Sequence, residues 1–176
     1  MRGPRLGSLI GAIAGLVFVL VNAGGFAGPV DVVLRVLGVA AFAAVTWFGV
    51  LRPAAGRPGP EPAPGVLRTY LICVAGEVVA IPLGALLLNR VLDRPQLTPA
   101  WVVLVVGVHF LPFARAFQVP LFRTLGWTLI GVAVLGGALA LTLTPLAVPG
   151  AAVAAGFVLL GFAALGGTRP GPVPDA

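Results

Sequence analysis

Two ionisable side chains stand alone in long apolar stretches, and they are the residues of this chain best suited to chemistry. Glu77 lies in LICVAGEVVAIPLG, and His109, the only histidine, lies in LVVGVHFLPF. An acid and an imidazole in contact can bind and release a proton, because burial opposes the charged form of each group while their mutual attraction favours it. The same contact can instead be a static hydrogen bond between two helices, worth about 0.6 kcal/mol on average in membrane proteins. The sequence leaves both interpretations open.

Glu77 and His109 are predicted to lie at the same depth of two neighbouring helices. Glu77 is twelve residues before Asn89 and His109 is eleven after Thr98, and a short polar turn separates Asn89 from Thr98. At a rise of about 1.5 Å per residue, both side chains lie roughly 17 Å below this turn, near the middle of a ~30 Å hydrocarbon core. Because consecutive antiparallel helices usually pack side by side, we expect the two side chains to face each other.

Three further polar residues are candidates for a binding site or a proton path. Tyr70 shares a helical stripe with Glu77, and Arg115 continues the second arm toward the same end. The alternative for Arg115 is an interfacial side chain that extends to the headgroups. Asn22 is predicted to project near the Gly11 stripe of the first span, with a hydrogen bond at a helix end as its alternative role.

Prolines predict local irregularities in the two helices that carry the pair. Pro82 and Pro112 each remove a backbone hydrogen bond and crowd the preceding turn, so we expect both helices to be interrupted beside the pair. Thr98 followed by Pro99 has the arrangement of an N-cap and a first helical position.

Glycines at positions Gly7, Gly11 and Gly15 form a smooth groove along the first apolar run. Small residues spaced four apart allow another helix to approach closely. The partner helix belongs either to this chain or to a second copy or membrane partner, and the sequence does not distinguish these alternatives.

The composition indicates a helical membrane protein. Of the 176 residues, 59% are hydrophobic and 9% are charged, whereas soluble domains carry about 25% charged residues. The mean hydropathy is +1.10, the apolar runs are long enough to span a bilayer, and the alternation typical of barrel strands is missing. We predict an all-α integral membrane protein with the lipid bilayer as its partner and six transmembrane helices, at residues 8–26, 30–51, 66–89, 100–118, 121–144 and 151–165.

The arginines predict an orientation. All eleven basic residues are arginines, and they occur singly near the ends of the apolar runs, which is typical of membrane anchoring and not of a nucleic-acid groove. Eight of them fall on one side of the predicted spans and three on the other. Both termini are therefore expected to be cytoplasmic in a plasma-membrane protein of a single domain, with a Pro/Gly-rich cytoplasmic linker at 52–65 and a disordered tail at 167–176.

A short box around the histidine has a counterpart elsewhere. The segment 107–114, GVHFLPFA, resembles a G-x-H-F-x-P-x-A box in small bacterial multi-pass membrane proteins of unassigned function. Together with the acid one span earlier, the resemblance covers roughly the middle third of the chain. It implies a shared six-helix fold and carries no activity.

Motifs for other functions are missing from the sequence. It contains no HExxH, G-x-S-x-G or Walker pattern, and one histidine and one glutamate in the apolar hairpin leave a catalytic metal a ligand short of the usual three. We therefore expect no cofactor and no metal, and an enzyme is less favoured than two other classes. The leading hypothesis is a proton-linked carrier of a small solute that uses Glu77 and His109. The second is a scaffold or accessory subunit in which this pair is a structural hydrogen bond.

Overall fold

The structure, a computed structural model of the chain, describes residues 3–51 and 65–168. This part contains no strand, and it includes six helices that are long and apolar enough to cross a membrane. The predicted all-helical class and the predicted number of long apolar helices are therefore confirmed. The helices are α1 (Gly3–Ala23), α2 (Pro29–Val45), α3 (Val66–Leu86), α4 (Thr98–Ala116), α5 (Pro120–Thr142) and α6 (Ala147–Thr168).

Glycine and proline mark where helices begin. Gly28 and Gly65 precede α2 and α3 with φ angles of 63° and 91°, a left-handed conformation that glycine adopts without steric cost. Pro29 and Pro120 occupy the first positions of α2 and α5, where the missing N–H has no intrahelical acceptor and the fixed φ suits a helix. One π-helical turn extends α2 (Thr46–Leu51) and another extends α3 (Leu87–Val91).

Two predicted helix starts are wrong. α6 begins at Ala147 and not at residue 151, because Pro149 falls in its first turn, where a proline sacrifices no helical hydrogen bond. Thr98 is not an N-cap: it is the first residue of α4, and its N–H donates to the carbonyl of Pro95. A short 3-10 turn, Pro95–Leu97, leads directly into α4 and replaces the expected cap.

The interruptions expected at Pro82 and Pro112 are also absent, since both prolines lie inside continuous helices. Each proline removes a single backbone hydrogen bond, while unwinding would expose several more polar groups to hydrocarbon. The predicted linker at 52–65 lies outside the described residues except for Gly65. The predicted tail is helical as far as Thr168, and positions 169–176 lie outside the described part.

Neighbouring helices pack antiparallel in the spatial order α2, α1, α6, α5, α4, α3. α6 is central, because it contacts α1 and α5 extensively and also touches α2 and α4. α3 packs mainly on α4, whereas α2 packs on α1 and α6. The second and third helices are therefore consecutive in the chain but lie at different edges of the bundle.

The backbones of α1 and α6 approach each other at a pair of glycines. A Cβ atom on Gly15 would lie 2.7 Å from the carbonyl oxygen of Gly156, and one on Gly156 would lie 2.6 Å from the carbonyl oxygen of Gly15. The buried Ser8 hydroxyl donates to the carbonyl of Ala163 farther along the same interface. Small residues and one buried hydrogen bond thus join the first and last helices.

The close approach predicts a different response at two glycines of α1. Gly15→Ala should destabilise the fold by about 1–3 kcal/mol, the usual cost of forcing an extra carbon into a packed interface. Gly7→Ala is the matched control, because a Cβ at Gly7 meets no atom within 4 Å, and it should stabilise the helix by up to about 1 kcal/mol, since alanine is the better helix former. Both variants exchange glycine for alanine in one helix, so the difference in their free energies of unfolding in mixed detergent micelles isolates the clash. Equal losses would contradict the close contact.

Candidate functional site

The structure brings Glu77 and His109 together across the interface between α3 and α4. The imidazole Nδ1 of His109 lies 3.0 Å from the carboxylate Oε2 of Glu77. The His109 side chain is 11% exposed and the Glu77 side chain 26% exposed. The acid is therefore the more accessible member of a contact that the matched depths predict.

The contact is close but not aligned as a hydrogen bond. The Nδ1 atom is buried and has no hydrogen-bond partner of acceptable geometry among the described residues, although the oxygen of Glu77 lies at hydrogen-bond distance. Both observations are explained if the N–H direction of the His109 ring points away from the line that joins Nδ1 to the Glu77 oxygen. A small rotation of either side chain would complete the bond, because only its direction is unfavourable.

Aromatic rings of α4 pack against the imidazole, and a ring from the start of α3 packs against one of them. The ring of Phe113 is 4.3 Å from that of His109 between centroids, and Phe110 meets the imidazole edge-on at 5.7 Å. Tyr70 of α3 stacks on Phe113 at 5.8 Å. Two more rings, Phe117 and Phe122, complete an aromatic cluster that joins α3, α4 and α5.

A second attachment holds α3 to α4 on the other side of the pair. The indole N–H of Trp101 donates to the carbonyl of Ala80 at 3.0 Å, and the same ring occupies the space that a Cβ on Gly84 would fill. Sequence reasoning missed this contact. The available signal was that both residues lie close to the turn between α3 and α4, Gly84 five residues before Asn89 and Trp101 three after Thr98.

The opposite face of α3 carries large apolar side chains that touch no other part of the bundle extensively. Each of them is at least 48% exposed, as expected for a helix with a lipid-facing side. They are Leu67, Leu71, Ile72, Val78, Val79, Leu83, Leu86 and Leu87. α3 is thus held from one side, by the Tyr70 stack, the Glu77–His109 contact and the Trp101 contact.

Two other candidate residues lie apart from the pair. Arg115 is exposed in the last turn of α4, and its side chain makes no hydrogen bond or ion pair within the described residues. The Asn22 amide donates to the carbonyl of Phe18 in its own helix at 2.9 Å, which matches the alternative of a local bond near a helix end. The structure therefore gathers Tyr70, Glu77 and His109 in one region and leaves Arg115 and Asn22 outside it.

The glycine groove of α1 is covered mostly by the chain itself. Gly11 faces Ala163 of α6, and Gly15 faces Gly156 of the same helix, whereas Gly7 remains open. A second copy or partner therefore finds only the first turn of the groove unoccupied. Within the described ranges, no group of three or more His, Cys, Asp or Glu side chains could hold a metal ion.

The contact between Glu77 and His109 should appear as energetic coupling. A double-mutant cycle of Glu77→Leu and His109→Leu should give a coupling energy of about 0.6 kcal/mol, the average for polar contacts between membrane helices, and at most about 1.7 kcal/mol. Glu77→Leu with Arg115→Gln is the control cycle, since Arg115 does not touch the pair, and its coupling should be near zero. Equilibrium unfolding in mixed micelles measures both. Equal coupling in the two cycles would mean that the acid and the imidazole do not interact specifically.

Comparisons of this chain with protein-family models, with curated proteins and with solved structures find no match.

Proposed function

We propose that this chain is a proton-linked carrier of a small solute, and that Glu77 and His109 bind the coupled proton. The 3.0 Å contact between the carboxylate and the imidazole is the observation that carries the proposal. This contact joins α3, which packs against other helices on one side only, to the rest of the bundle. A proton-binding contact at such an interface links the number of bound protons to the position of a helix.

The electrostatics of the pair explain how protons would act on α3. With one proton shared between them, the two side chains are neutral together, either as an ion pair or as two uncharged groups. A second proton leaves a net positive charge, and loss of the shared proton leaves a net negative charge. A charge near the bilayer centre costs at least about 3 kcal/mol, so both changes favour admitting water by separating α3 from α4. Adding a proton to the neutral pair or removing one would thus open this interface, and return to the neutral pair would close it.

The packing of the other helices supports α3 as the moving part. Displacing α3 breaks mainly its contacts with α4, whereas moving α1 against α6 would disrupt the glycine contact and the buried Ser8 bond. The solute would enter between α3 and α4, where Tyr70 and Cys73 share a stripe with Glu77. The carrier would work by rocking one edge helix against a packed body.

The proposed membrane setting follows from the arginines and the antiparallel order. Arg68, Arg115 and Arg123 lie at one end of the bundle, which is also the end where α1 begins and α6 finishes. The sequence adds five more arginines next to the helix ends on this side, Arg2, Arg5, Arg52, Arg57 and Arg169. Because arginine accumulates on the cytoplasmic side, we place this end and both termini in the cytoplasm and the protein in the plasma membrane.

The second candidate function is an accessory membrane subunit in which the pair is a static clasp. The enclosure of Nδ1 by protein and the aromatic packing of the imidazole favour it, because this atom can exchange a proton only when the surrounding packing opens. In that case Glu77 and His109 only fix the register of α3 on α4. The two functions differ in what happens when the acid is neutralised.

Proton flux in proteoliposomes distinguishes the two functions. The protein is reconstituted in vesicles that contain a trapped pH dye. An inward proton gradient is applied, and amino acids, sugars, organic cations or organic anions are added outside, one class at a time. Wild-type protein should accelerate proton entry with at least one of these solute classes, and Glu77→Gln should return the rate to that of protein-free vesicles. Asp93→Asn, which neutralises an exposed acid in the turn after α3, is the matched control and should keep the wild-type rate.

Two results would contradict the carrier. One is wild-type protein that never exceeds protein-free vesicles with any solute class. The other is a folded Glu77→Gln variant that keeps the full wild-type rate, which would support the static clasp instead.

A further inference from the structure

A stripe of polar residues on α5 takes no part in the packing of the helices. Arg123, Thr124, Trp127 and Thr128 recur at helical spacing and, with Pro120, line an open, nearly flat part of the surface. The buried residues of α5 lie on the opposite face of the helix; they are Leu125, Gly126, Leu129, Ala133 and Gly136. The polar stripe therefore faces away from α4 and α6, which α5 packs against.

The stripe offers hydrogen-bond donors and one positive charge. The Arg123 side chain is exposed and forms no ion pair with any described residue, and the Trp127 indole is 58% exposed. Thr124 is exposed beside them on the same side of the helix, and the neighbouring Thr128 hydroxyl donates to the Thr124 carbonyl at 2.9 Å. A guanidinium, a hydroxyl and an indole N–H together match an anion with several acceptor oxygens, and phosphate has this character.

Beyond Trp127 the same face becomes smooth and apolar. Gly131 and Val134 follow at helical spacing, and a Cβ on Gly131 would meet no atom within 4 Å, while Val134 is 59% exposed. At a rise of about 1.5 Å per residue, Arg123 lies roughly 5 Å below Pro120 and Trp127 roughly 10 Å below it. Donors at the helix start and an open apolar groove beneath them suit an amphipathic ligand that stands parallel to the helix.

The charges at this end of the bundle favour a negatively charged headgroup. Among the side chains that the structure describes, the charged ones at this end are Arg68, Arg115 and Arg123, and all three are positive. A zwitterionic headgroup would bring an ammonium group to a surface that offers it no carboxylate, whereas an anionic headgroup meets attraction alone.

We propose that the outer face of α5 binds an anionic phospholipid. Its phosphate oxygens accept hydrogen bonds from Arg123, Thr124 and Trp127, and one acyl chain lies along Gly131 and Val134. The site is separate from the Glu77–His109 pair, so it stands or falls independently of the carrier proposal.

The indole of Trp127 can report directly on the bound lipid. Full-length protein is reconstituted in vesicles that contain increasing fractions of brominated phosphatidylglycerol or brominated phosphatidylcholine, and the Trp127 signal is the difference between wild type and Trp127→Phe. Brominated phosphatidylglycerol should quench half of this signal at a mole fraction about fivefold lower than brominated phosphatidylcholine. Arg123→Gln should remove the preference. Arg90→Gln, which changes an exposed arginine at the other end of the bundle, should retain it.

Three outcomes would overturn the proposal. Equal quenching by the two lipids in wild type would mean that α5 has ordinary boundary lipid there. A preference that survives in Arg123→Gln would place the anionic lipid elsewhere. Relief of quenching by excess inorganic phosphate in the buffer would assign the donors to a soluble anion.

Discussion

The close approach of α1 and α6 is the constraint on which the rest of the arrangement depends. Helices surrounded by hydrocarbon gain little from hiding apolar side chains from one another, so their association relies on close packing and hydrogen bonds. Gly15 and Gly156 allow backbone contact, and the Ser8 hydroxyl adds a buried bond. With the first and last helices joined, α6 is surrounded by α1, α2, α4 and α5. Only α3 is left to pack against a single main neighbour.

Because α3 lies at the edge of the bundle, the free-energy cost of burying Glu77 in it has to be weighed against what the residue contributes to packing. An isolated charge near the bilayer centre costs at least about 3 kcal/mol, whereas a hydrogen bond between membrane helices contributes about 0.6 kcal/mol on average. A clasp made from two apolar residues of similar volume would attach α3 at lower cost. The Trp101 contact and the Tyr70 stack already hold α3 at two other levels. These costs are the reason for proposing that Glu77 and His109 serve proton binding rather than stability.

Local features of this fold could be predicted from the sequence, and features that depend on distant partners could not. Hydropathy located all six helices, and counting residues from one shared turn was enough to pair Glu77 with His109, because both rest on the regular rise of a helix. The predicted start of α6 was wrong, because Pro149 was interpreted as a residue that ends a helix. In the structure it lies in the first turn of α6, where proline is tolerated. The glycines of α1 predicted a close contact but did not identify α6 as the partner. A small residue shows that another helix can approach at that position, but it does not show which helix approaches. α6 is rich in Ala and Gly, which allows close approach on several sides, but its sequence does not say which helices pack against it.

In the proposed carrier, the order in which a proton meets the two groups follows from their unequal exposure. Aromatic rings cover the imidazole toward the arginine-rich end, and its Nδ1 atom is buried, while about a quarter of the Glu77 side chain is exposed. A proton arriving from that end would therefore meet the carboxylate first and pass to the imidazole second. The polar groups on the way are the Tyr70 hydroxyl, two turns before Glu77, and the Cys73 thiol between them. Because Tyr70 stacks on Phe113 of α4, the same displacement of α3 that separates the pair would also open this path. In the proposed carrier, access and proton binding are thus controlled by one helix interface.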